Sequence, residues 1–154
     1  MNTFLIIIAV AAGGWVLLIF GLKGMAALMR KGTVKATMKA LAGENILKMT
    51  DNVSFLGANF PGPNLPPRTS GVLAITDTRL IFLPWFPRRT ITLPRESIAG
   101  VTLRDYYGEM AYNIPVLLLK IKGMGDPHGH MVWLTHEPEE WKKKIASILK
   151  ENKA

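Results

Sequence analysis

The chain has 154 residues, a formal net charge of +8 and no cysteine. The missing thiols exclude a disulfide-stapled fold, cysteine-ligated metal sites and thiol catalysis, and the length allows one ordinary domain beside any membrane span. Hydrophobic residues reach 49% against 19% charged, which excludes disorder over most of the chain. The charge is unevenly placed. No acid occurs between Met1 and Gly43, where the basic residues are Lys23, Arg30, Lys31, Lys35 and Lys39. The remainder is close to balanced, so the basic character is local and does not point to nucleic acid.

Phe4 to Leu22 (FLIIIAVAAGGWVLLIFGL) is uncharged. As a helix it is about 28 Å long, close to a hydrocarbon core of roughly 30 Å, and Lys23 begins a polar segment where a span would end. Residues 4–22 are therefore predicted to be a single transmembrane helix. A cleaved signal peptide is disfavoured by the missing basic n-region and the length of the run. Every flanking basic residue follows the span, which predicts an outside N-terminus and a cytoplasmic C-terminal domain at the cell membrane. Residues 23–43 form a basic juxtamembrane helix or linker. Within it, Val34, Met38 and Leu41 recur beside Lys31, Lys35 and Lys39, as on a helix lying along a bilayer, although a solvated linker fits equally well.

From Glu44 the pattern turns to short strands. Candidates are Ile46–Leu56 with an interruption near Asp51 and Asn52, Gly71–Thr76, Arg79–Leu83, Arg89–Leu93, Ile98–Arg104, Val116–Lys122 and His130–Leu134. Residues 59–68 (NFPGPNLPPR) form a proline-rich loop. The chain closes with a helix from Pro138, whose Trp141, Ile145, Ile148 and Leu149 make one apolar stripe. A mainly β, α+β domain over residues 44–151 follows, with the helix covering an open end.

The segment from Gly71 to Phe82 (GVLAITDTRLIF) resembles the "G-x-L-x-(L/I)-T-(D/N)-x-R-L-x-F" hairpin of GRAM and bacterial pleckstrin-homology-like domains. Ile91 to Val101 is similar to their "I-P-L-x-x-I-x-x-V" segment. The resemblance implies a seven-stranded barrel capped by a C-terminal helix, and a module that binds membrane lipids or proteins. It also implies that three loops gather at one open end, bringing together Phe60, Arg68, Trp85 to Arg89, and His128. Of the basic residues that inositide readers carry on the first strand pair, only Lys48 and Arg68 are available.

No phosphate-binding loop, dinucleotide fingerprint or nucleophile elbow occurs, so neither an enzyme nor a cofactor is expected. Asp126, His128 and His130 share strand parity but read as a polar turn, and no metal is expected. One constellation carries a binding hypothesis: Pro84-Trp85-Phe86-Pro87-Arg88-Arg89, where two aromatics could enter an interface while two guanidinium groups meet phosphates. Arg68, Trp85, Phe86, Arg88 and Arg89 are thus the lipid- or partner-binding candidates. The sequence reading favours a membrane-anchored adaptor or scaffold for a protein partner, since a tethered domain needs no lipid to reach the membrane. Anionic-lipid headgroup binding through the same loops is the alternative.

Overall fold

A computed structural model describes residues 24–25, 27–60, 66–87, 89–123 and 129–151. The predicted span 4–22 lies outside them, as do Lys23, Arg88, Asp126 and His128. Among the described residues no helix is long and apolar enough to cross a membrane.

Helix α1 (24–25 and 27–40) leads into seven antiparallel strands and a closing helix. The strands are β1 (Ile46–Ala58), β2 (Thr69–Thr76), β3 (Arg79–Pro84), β4 (Ile91–Pro94), β5 (Ile98–Tyr107), β6 (Met110–Ile121) and β7 (Gly129–Leu134), and helix α2 spans Pro138–Glu151. The sheet order is β4-β3-β2-β1-β7-β6-β5. Strand β1 joins the two halves, pairing with β2 from Ile46 to Phe55 and with β7 from Ser54 to Ala58. Besides a register shift between Ile46 and Lys48 at its start, two irregularities let it bend. The first falls between Thr50 and Val53, where Asn52 has φ 60°, and explains the interruption read near Asp51. The second falls between Phe55 and Gly57.

The inner faces of all seven strands and of α2 share one core. Phe55, Phe82 and Trp133 form its aromatic centre, with ring centroids 5.7 to 6.3 Å apart. Trp141, Ile145 and Ile148 of α2 are buried against it, so the C-terminal apolar stripe caps the sheet. At Gly71 a side chain has no room: a Cβ would sit 2.4 Å from the Leu83 carbonyl oxygen. That is the steric reason for glycine at the head of the β2–β3 hairpin.

Two expectations are corrected. The β5–β6 hairpin is longer than the strands read from sequence, with its turn at Gly108 (φ 61°). Asn113 and Pro115 are residues that strands disfavour. Here Pro115 falls inside the register shift between Arg104 and Tyr106, where a missing N–H disrupts no ladder pair. The second correction concerns α1. Thr33, Thr37 and Leu41 face the protein and are buried, so Leu41 leaves the stripe read as facing a bilayer, while Met38 is exposed. Leu41 packs on Ala74 and Ile81, the outer face of β2 and β3. The threonine hydroxyls donate to the carbonyls four residues back, Met29 and Thr33, both at 2.9 Å. With its donors satisfied inside the helix, this narrow face lies against protein without an unpaired group.

Candidate functional site

The direction of α1 follows from its two ends. At the C-terminal end, Glu44 is ion-paired with Arg79 and accepts from the Thr76 and Thr78 hydroxyls, while Arg79 also donates to the Ala40 carbonyl at 3.1 Å. This end is fixed at the β2–β3 turn. At the other end, Arg30 donates to Asp51 at 2.5 Å, and Leu28 and Lys31 line a groove shared with Asn52 and Trp85. Trp85 follows the last residue of β3. Helix α1 therefore runs antiparallel to β3 across the outer face, and the two lengths agree: residues 27–41 rise about 21 Å as a helix, and residues 79–85 about 20 Å as a strand. The N-terminal end of α1 emerges beside the β3–β4 loop.

That corner carries the sequence-derived constellation. The Trp85 N–H donates to the Ser70 carbonyl at 2.9 Å, fixing the start of the loop. Trp85 is half-buried, while Phe86 is 76% exposed and Arg89 is exposed. Met25, Leu28 and Met29 are also exposed, Leu28 at 73%, on the end of α1 that meets this loop. Lys31, Lys35 and Lys39 are exposed along the helix. Sequence reasoning found the loop and the lysines separately. Their meeting depends on how α1 docks, which its lysine and methionine periodicity did not reveal.

Other candidates go elsewhere. Arg68 (φ 63°) donates to the Met110 sulfur at 2.7 Å and lines a hollow with Tyr107 and Tyr112 under the β5–β6 turn. Phe60 packs against the main core. Lys48 donates to Glu137 at 2.7 Å and Glu140 at 2.5 Å, and its ammonium lies 5.8 Å from the Trp141 ring centroid. Burial pushes the Lys48 pKa down, but the two carboxylates outweigh it and leave it above the ordinary lysine value. Lys48 is thus tied to α2. On the opposite outer face, Arg104, Tyr106, Lys120 and His130 line a second groove of about 700 Å³. Burial lowers the His130 pKa, favouring its neutral form, and Tyr107 stands edge-on to it at 6.3 Å.

No protein-family model matches this chain, and no curated protein matches it. Solved structures do. One is the C-terminal domain of an unknown protein from Leishmania infantum, 15% identical with a TM-score of 0.54, covering 77% of this chain and 96% of that one. The N-terminal pleckstrin-homology domain of Vps36 is 15% identical with a TM-score of 0.50, covering 71% and 84% respectively. The fold is pleckstrin-homology-like. A chain in the 8S snRNP assembly intermediate shares it at 11% identity and a TM-score of 0.51, over 69% of this chain and 83% of that one. At these identities the likeness extends to the fold, a mainly β seven-stranded antiparallel sheet with a C-terminal helix.

Proposed function

We propose that this pleckstrin-homology-like domain is a non-catalytic, membrane-anchored binding module whose α1/β3–β4 corner rests on the anionic face of a bilayer. Residues 4–22 would be the single span and the domain would lie in the cytoplasm. One observation carries the reading: the docked α1 joins exposed Leu28, Lys31 and Lys35 to Trp85, which begins the loop carrying exposed Phe86 and Arg89, at the helix end that residues 4–22 precede in the sequence. Apolar side chains at such a corner enter the interfacial region, and each lysine or arginine near an anionic leaflet contributes about 1 kcal/mol. Because α1 is fixed at both ends, the domain meets the membrane in one orientation.

The test uses the full chain in nanodiscs of phosphatidylcholine with and without phosphatidylglycerol. Backbone amides of 85–90 should exchange more slowly when phosphatidylglycerol is present, and high salt should remove the difference. Equal exchange in both discs at low salt would mean that the corner does not face the lipid.

A protein partner is the second reading, favoured by the groove of Arg104, Tyr106, Lys120 and His130 on the other outer face. Among the described residues neither Arg104 nor Lys120 has an ion-pair partner. Two such cations beside an exposed Tyr106 fit an acidic polypeptide, and a domain held by its opposite corner would present this face to the cytoplasm as an adaptor. Cross-linking from a photoreactive residue at position 106 in intact membranes should then capture a protein, and replacing Arg104 and Lys120 by Glu should abolish the product.

A further inference from the structure

The corner holds more than a flat apolar patch. Between α1 and the β1 irregularity runs a groove of about 930 Å³, within the size range of small-ligand sites. Ala27, Leu28, Val34 and Trp85 give it an apolar wall, and Lys31 and Lys35 stand on its rim. We propose that it holds one anionic phospholipid drawn from the adjoining leaflet, with the phosphate between Lys31 and Lys35 and an acyl chain along Leu28, Val34 and Trp85. The proposal rests on the bilayer-facing reading above and adds a discrete, stoichiometric site to it.

The division of charge selects the occupant. Arg30 is engaged by Asp51 at 2.5 Å, which removes one positive and one negative group from the balance. Lys31 and Lys35 are spaced i, i+4 on one helix face, and among the described residues neither has an ion-pair partner. What remains is a pair of ammonium groups, suited as point charges to a phosphate, beside a largely apolar trough. A peptide strand would bring a row of backbone donors and acceptors to that trough. An acyl chain brings none. Trp85 in this wall also fits the ordinary position of an indole at a membrane surface, beside the lipid ester region. The groove is also continuous with the exposed Leu28, so a lipid can enter from the leaflet without crossing water.

The experiment uses the full chain with Trp15 replaced by Phe, in nanodiscs carrying acyl-brominated phosphatidylglycerol or, separately, acyl-brominated phosphatidylcholine. Trp133 and Trp141 are fully buried in the core, so quenching that disappears in Trp85→Phe reports on the groove. Brominated phosphatidylglycerol should quench Trp85 at low mole fraction and saturate near one lipid per chain, and Lys31→Gln with Lys35→Gln should raise the half-saturating fraction several-fold. Quenching that rises linearly with either lipid, with no preference, overturns the discrete site. Displacement by inorganic phosphate alone overturns the lipid as occupant, as does a polypeptide-sized adduct on the chain in native mass spectrometry. The exchange test on residues 85–90 separates the two failures: slowed exchange without selective quenching sinks only this site, whereas loss of both sinks the bilayer-facing reading.

Discussion

The two helices cover the same sheet from opposite sides, with different materials. Helix α2 plugs the inner core with Trp141, Ile145 and Ile148, whereas α1 lies on the outer face of β2 and β3 with Thr33, Thr37 and Leu41. A large aromatic surrounded by the sheet cannot leave without opening a cavity. A threonine whose hydroxyl is already bonded within its own helix can leave with little polar cost. Helix α2 is therefore part of the folded domain, and α1 is a cover whose attachment depends on Leu41 and on ion pairs at its two ends.

The sharpest test of that contrast is a buried charge on each helix. Ile145→Glu should abolish the cooperative unfolding transition of the full chain in mild detergent, because an unpaired carboxylate would lie in the core. Thr37→Glu should release α1 while the amides of β5 to β7 keep their protection in hydrogen exchange. Loss of protection across the whole sheet in Thr37→Glu would put α1 on the same footing as α2. Trp141→Ala comes next, with an expected cost of about 3–5 kcal/mol in denaturant unfolding. Leu41→Ala should cost about 2–3 kcal/mol, near the lower end for a buried leucine, since among the described residues only Ala74, Ile81 and Met49 share its cluster. Equal losses for the two substitutions would erase the comparison.

The smallest effect is that of pH. Hydrogen bonding to Arg79 and Thr76 holds the Glu44 carboxyl below its ordinary value, and Lys48 does the same for Glu140. Depressed carboxyl pKa values contribute stability that is complete above the unfolded value of about 4.5 and is lost as pH falls through the folded ones. The melting temperature should therefore drop in acid below about pH 4.5, and Glu44→Gln should make the drop shallower. An unchanged acid limb in that variant would detach Glu44 from the hold on α1. Both pairs are partly exposed to solvent, so the change should be modest.

The outcome also shows what local sequence carries. The β2–β3 hairpin was legible because Gly71, the Thr76-Asp77-Thr78 turn and the β-rich runs are all short-range signals. Helix α2 was legible because its stripe is made of large apolar residues. The docking of α1 was not, since threonine reads as polar and its burial depends on a hydroxyl bond that periodicity does not register. A clue was present in β2 itself. Val72, Ala74 and Thr76 alternate with Leu73 and Ile75, and all are buried, as in a strand covered on both faces. Something had to lie over it. The candidate site shares this division: Trp85, Phe86 and Arg89 stood out as a loop motif, whereas the nearness of Leu28, Lys31 and Lys35 is tertiary, and the Arg68 contact with Met110 needed the longer β5–β6 hairpin.

Under the proposed anchoring, the fixed course of α1 would also limit how far the domain can travel. With a span ending at Leu22, only residues 23–26 separate it from the docked part of the helix, and four residues reach at most about 14 Å even when fully extended. A domain anchored in that way would not sweep the volume beneath the membrane as one on a long flexible tether would. Its search would then be two-dimensional, confined to what diffuses in or just beneath the leaflet, and lengthening the connection by a flexible insert would trade local concentration at the surface for reach.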